Sequence, residues 1–186
     1  MATMTPGERV RAAVKGEPVD RVPFCFWHHF KPEGSGERMA ALTLEFFRDK
    51  FNLDIIKMMP DLRYPAPDQP ISQSSDWTSL PHLGLETPSF REQLVCIRQL
   101  RSALGSEMPL ILTLFSPLTM TFQFAGKETA IKHLREQPEA FEQGLKTLAA
   151  NERELVGAAI EAGASGIFFS CMGATNIDLT PEEYAG

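Results

Sequence analysis

The stretch PLILTLFSPLTMTFQFAG, Pro109 to Gly126, limits what this chain can fold into more than any other. No charge falls between Glu107 and Lys127, and Leu110 to Phe115 reads as a strand buried on both faces. Ser116-Pro117 ends that strand, because proline lacks the N–H a ladder needs and restricts the residue before it. Thr119, Thr121 and Gln123 then break up a second apolar run that closes at Gly126. A membrane span wants ~20 mostly apolar residues. Two prolines and several hydroxyl and amide side chains argue against one here. The segment is expected to be an internal strand ending in a polar-tipped turn.

The rest of the chain repeats that unit. Val22–Trp27 (VPFCFW), Leu53–Met59 (LDIIKMM) and Gly166–Ser170 (GIFFS) are further strand-like runs. Helical patterns alternate with them. Thr5-Pro6-Gly7-Glu8 has a capping residue, proline at the first helical position and the glutamate of a capping box, with the helix ending near Lys15-Gly16. Glu37–Lys50, Ser89–Leu104, Lys127–Arg135 and a long segment from Pro138 to Gly163 carry apolar residues at helical spacing. Strands alternating with helices predict a parallel sheet. Four such units make half of a TIM-type (β/α)8 barrel, whose usual length is ~250 residues. An open doubly wound sheet is the other candidate, but no GxGxxG follows the first strand. Thr180-Pro181-Glu182-Glu183 starts a further helix three residues before Gly186, so the sequence is expected to be an N-terminal fragment. Between Tyr64 and Pro88 lie five prolines and no clear period; a loop that long is often a lid or binding loop.

A chain of 186 residues, 43% hydrophobic and 23% charged, has the composition of a soluble globular domain with a real core. Its net charge of -6 disfavours nucleic acid or an anionic membrane as the main partner. Cys25, Cys96 and Cys171 form no CxxC and no disulfide framework, and the N-terminus lacks a signal-peptide core, so the cytoplasm is the expected compartment.

In a parallel barrel, chemistry gathers at the C-terminal ends of the strands. There the sequence offers His28 and His29, Asp61, Ser116 and Thr119, and Ser170 and Cys171. Asp61 could stabilise positive charge or pass on a proton, or simply cap the turn after Pro60. Adjacent histidines on an extended chain point to opposite sides, so at most one of His28 and His29 would face the site. Cys171 has no base paired with it by sequence and reads as a small buried residue. Arg9, Arg11 and Arg21 read as solvated or ion-paired, the aromatics Phe24, Phe26, Trp27 and Phe30 as core, and His82 and His133 as loop and helix-surface residues.

Four segments in order, ERVRAAVKGEPVDRVP at 8–23, LDIIKMMPD at 53–61, PLILTLFSPLTMTFQFAG at 109–126 and GIFFSCMGATNIDLTPEEY at 166–184, together resemble the uroporphyrinogen decarboxylase superfamily, a (β/α)8-barrel group. The resemblance implies one of two chemistries. In the decarboxylases, which use no cofactor, a pyrrole ring is protonated and becomes the electron sink for loss of carbon dioxide. Asp61 matches their key aspartate and Ser170 their serine after the fourth strand, while their tyrosine falls at Gln123. Their arginine-rich segment for substrate carboxylates is replaced by HHFKPEGSGER, which leaves His28, Lys31 and Arg38 as candidate substrate-binding groups. The other branch moves a methyl group from a corrinoid protein to a thiol activated by zinc, and its metal ligands lie in the second half of the barrel. A tetrapyrrole-binding barrel without catalysis is a third possibility, and a homodimer is carried over from related decarboxylases.

Overall fold

Three strands build one sheet: β1 (Ile56–Met58), β2 (Leu110–Phe115) and β3 (Gly166–Ser170), in the spatial order β1-β2-β3. The structure is a computed structural model that describes residues 3–175 and 177–185; Met1, Ala2, Asn176 and Gly186 lie outside the described residues. β1 and β2 pair in parallel, with Ile56 opposite Leu110, Lys57 opposite Ile111 and Met58 opposite Leu112. At the start of β2 the Ser165 N–H donates to the Leu110 carbonyl, and at its end the Ser116 N–H donates to the Ser170 carbonyl, so β3 runs the same way. One face of the sheet is closed off: Ile56, Met58, Leu110 and Leu112 are fully buried. The opposite face carries Lys57, Met59, Ile111, Thr113 and Phe168, and Thr113 Oγ1 lies 3.9 Å from Met59 Sδ.

The helices are α1 (Pro6–Val14), α2 (Gly36–Thr43), α3 (Pro88–Leu104), α4 (Pro117–Ala125), α5 (Lys127–Glu136), α6 (Pro138–Glu161) and α7 (Pro181–Ala185). α2 runs on into π-helical turns at Leu44–Lys50, and a 3-10 helix spans Ser74–Ser79. The chain divides into two compact units. The first gathers the chain up to Tyr64, Leu85–Thr113 and Leu155–Phe168; the second gathers Pro65–Gly84, Leu114–Glu154 and the chain from Phe169 on.

In the first unit the capping box predicted at Thr5 and Glu8 is present and starts α1. Arg9 on that helix is 4% exposed, and its guanidinium binds Asp20 at 2.6 Å and the wholly buried Asp54. Arg21 reaches Asp54 from outside. Arg9 and Asp54 thus each have an opposite charge in hydrogen-bond contact, which offsets the cost of burying them. Gly36 lets α2 approach α3 so closely that a Cβ would strike the Glu92 carbonyl. In the second unit Trp77, Phe122, Ile131, Phe141 and Leu179 form an apolar core with Ile71. Trp77 is fully buried, and its indole N–H donates to His133 Nδ1 at 3.1 Å.

Several expectations are corrected. Val22–Trp27 is extended but is not a strand: Pro23 has no N–H, and Phe24 donates to the Asp54 carboxylate and accepts from the Asp54 N–H instead of joining a ladder. The described sheet therefore has three strands, and it shows a parallel α/β arrangement rather than a closed barrel. The turn expected after Ser116 is helix α4, because Ser116 caps the Thr119 N–H and Pro117 occupies the first helical position. The predicted strand Leu53–Met59 shortens to three residues. The irregular 64–88 stretch contains the 3-10 helix Ser74–Ser79 with the buried Trp77, and His133 is buried rather than on a helix surface. No helix among the described residues is long and apolar enough to cross a membrane.

Candidate functional site

The polar residues after β1 come together in the first unit. Asp61 is 10% exposed and uses both carboxylate oxygens: Oδ1 lies 2.6 Å from His29 Nδ1, and Oδ2 accepts the Phe30 N–H at 2.8 Å. One hydrogen bond thus ties down the extended segment, as a turn-capping role requires, while the other orients an imidazole. The His29 side chain is 57% exposed, so its remaining nitrogen, Nε2, is open to a ligand. A carboxylate on Nδ1 holds the ring's orientation and turns Nε2 away from Asp61.

Alternation along the extended segment decides which histidine faces Asp61. Phe26, His28 and Phe30 project onto an aromatic shelf formed by the π-helical turns: Phe26 meets Phe51 edge-on at 5.0 Å, Phe30 meets Phe46 and Phe47 at 5.7 Å, and His28 stacks on Phe46 at 4.4 Å. Trp27 and His29 project to the other side, 5.4 Å apart. So only one of the two histidines reaches Asp61, and it is His29; His28, the candidate drawn from the sequence, lies on the shelf. Lys31 and Arg38 are exposed and form no ion pair among the described residues, and the Arg38 N–H is taken by the Ser35 cap of α2. Phe24 and Trp27 are exposed rather than core, while Phe26 and Phe30 do join the aromatic cluster.

Two strand-end groups fall in the second unit. Gln123 is exposed on α4. Ser170 is half-buried and contributes its carbonyl, 2.9 Å from the Ser116 N–H and 3.4 Å from the Thr119 hydroxyl. The Thr119 hydroxyl also lies 2.9 Å from Ser116 Oγ and accepts the Met172 N–H at 2.8 Å, so Ser116 and Thr119 tie strand ends together. Cys171 is exposed, contrary to its reading as a small buried residue, and borders a cavity of about 490 Å³ with Leu118, Leu134, Phe141, Leu145 and Phe169. Cys96 is the buried thiol, pushed up to about 12 by burial and so unreactive. No group of three or more His, Cys, Asp or Glu side chains among the described residues could hold a metal ion.

One residue near Asp61 was not picked out from the sequence. Lys57, in the middle of β1, is 7% exposed, and burial lowers its ammonium below the ordinary lysine range. Its Nζ sits 3.4 Å over the ring of Phe168. A lysine inside the otherwise apolar run IIKMM was the available signal.

Residues 49–185 match the family model for uroporphyrinogen decarboxylase (URO-D). Asp61 and Lys57 lie within the matched residues and His29 lies before them. None of the curated proteins matches the chain. Among solved structures the chain is similar to a methyltransferase from Methanosarcina mazei, with a TM-score of 0.68 and 19% identity over 98% of this chain and 63% of that one. At this identity the likeness is one of fold, and the chain spans less than two thirds of that protein's length.

Proposed function

This chain belongs to the uroporphyrinogen decarboxylase family, and we propose that it serves decarboxylation of a carboxylated tetrapyrrole, with His29 as the proton-handling group. The observation that carries this reading is the His29–Asp61 hydrogen bond of 2.6 Å, with the outer imidazole nitrogen exposed. In the reaction the His29 Nε2–H gives its proton to a ring carbon of the pyrrole. The positively charged ring takes up the electron pair of the breaking C–C bond as carbon dioxide leaves. The exocyclic carbon is then protonated and the ring loses its added proton, so R–CH2–COO⁻ and H⁺ give R–CH3 and CO2. Asp61 positions the imidazole through its 2.6 Å contact with Nδ1. Lys31 and Arg38 remain candidates for substrate contact within the first unit, and His28 supports the segment through its stack on Phe46.

Corrinoid-linked methyl transfer is the second reading, favoured by the likeness to a methyltransferase fold. The zinc of that chemistry finds no ligand group among the described residues, so no step is derived through it.

The test is anaerobic incubation with uroporphyrinogen, following released carbon dioxide and the less carboxylated product. Turnover is expected to fall by about 10²–10⁴ in His29→Ala and in Asp61→Asn, and added imidazole is expected to rescue the first and not the second. Undiminished turnover in both variants would sink the role of the pair. Methyl transfer from methylcobalamin to a thiol, with no carbon dioxide released, would move the assignment to the second reading.

A further inference from the structure

Among the described residues of the first unit two cations are buried, Arg9 and Lys57, and only Arg9 is paired. Arg9 binds Asp20 and Asp54, and even the half-buried Arg101 guanidinium donates to the carbonyls of Gly163 and Met108 and to Ser165 Oγ at 2.8–3.0 Å. Lys57 is as deeply buried as Arg9, yet it has no carboxylate within 4 Å and no hydrogen-bond acceptor among the described residues. Its compensation is the Phe168 ring, and the Cys25 thiol is the titratable group close enough to influence it. A ring quadrupole offsets only part of the cost of burying an ammonium. Phe168 is 44% exposed, so the space beside the amine is reachable. Register places Lys57 on the same sheet face as Met59, two residues before the turn that holds Asp61.

We propose that Lys57 is a substrate-recognition residue whose ammonium binds a carboxylate of the ligand, on the strand that runs into the turn holding Asp61. The proposal deepens the decarboxylase reading and rests on it for the identity of the ligand, while the anion site itself stands on the geometry of Lys57. It also adds a cation to the two, Lys31 and Arg38, that the HHFKPEGSGER segment carries. A carboxylate seated there completes the ion pair that the fold leaves open.

Two measurements test it. In the first, amine acylation of the purified chain is read at Lys57 by peptide mass spectrometry, with citrate as the probe and neutral triethyl citrate as the control. Citrate is expected to slow acylation of Lys57 about tenfold and the triester to leave it unchanged; equal rates with and without citrate overturn the proposal. In the second, fluorescence titration with uroporphyrin, which cannot be decarboxylated by this route, compares wild type with Lys57→Met and Lys57→Arg at matched Tm. Binding about tenfold weaker in Lys57→Met, with Lys57→Arg within about threefold of wild type, supports a charge requirement. Equal losses in both variants overturn it, since they would report shape alone. Should uroporphyrin fail to bind wild type while citrate still protects Lys57, the tetrapyrrole reading falls and the anion site stands. Unprotected Lys57 in a chain that binds uroporphyrin gives the reverse.

Discussion

Glu152 on α6 gives the sharpest test of the electrostatics. Its side chain is 5% exposed, and burial pushes its carboxyl up to about 8 from an ordinary 4.5. The sign follows from proton counting. Between those two values the folded chain holds a proton that the unfolded chain has released, so stability falls as pH rises through this window. The slope is about 1.4 kcal/mol per pH unit, which amounts to about 3 kcal/mol between the ordinary glutamate range and pH 7. Glu152→Gln keeps the shape and removes the titration. Urea unfolding at pH 5, 6, 7 and 8 is the assay, and the quantity to plot is the difference between variant and wild type, in which other titrating groups cancel. The variant is expected to gain on wild type with each pH unit, reaching a midpoint roughly 1–2 M higher at pH 7. Glu183, held near 2 by Arg135, stays ionised throughout this range and does not contribute. Parallel pH profiles for the two proteins would show that Glu152 is not desolvated as described, and the reasoning would fail with it.

Two further outcomes follow from the first unit. Asp54→Asn strips Arg9 and Arg21 of a shared, fully buried counter-charge, and a loss of about 3 kcal/mol in unfolding free energy is expected; a loss below about 0.5 kcal/mol would mean the network behaves like a surface pair. Gly36→Ala drives a Cβ into the Glu92 carbonyl where α2 meets α3, and thermal unfolding should report a cost of roughly 1–3 kcal/mol, whereas Gly34→Ala, with open space around it but a φ of 78°, should cost only about 1 kcal/mol.

Local chemistry was the most legible part of this sequence. Thr5-Pro6, Gly105 and Thr180-Pro181 mark helix ends in the fold because caps and φ preferences act over three or four residues. Ser116-Pro117 carries the same signature, but its reading as a strand stop hid its second role as the start of α4. Strand pairing was harder to read. VPFCFW is an apolar run of strand length, and the extended backbone it predicts is real, since Phe26 and, beyond the run, His28 and Phe30 share one side. Whether it joins a sheet depends on partners far away in sequence. For the candidate site, alternation limited the choice to one histidine, while the placement of the Phe46–Phe47 shelf made that histidine His29. His133 and Lys57 were missed for a common reason: a polar residue in an apolar pattern is informative only once its neighbours are known, Trp77 for one and Phe168 for the other.

The burial of Trp77 also sets a balance. For the segment Pro65–Gly84 to swing away from its unit, the indole must leave contact with Phe141, 5.3 Å between ring centres, and give up its bond to His133. Exposing an aromatic of that size costs about 4–6 kcal/mol, so the open form is populated less than about once in a thousand molecules. At any instant, then, nearly every molecule holds this segment closed on its unit.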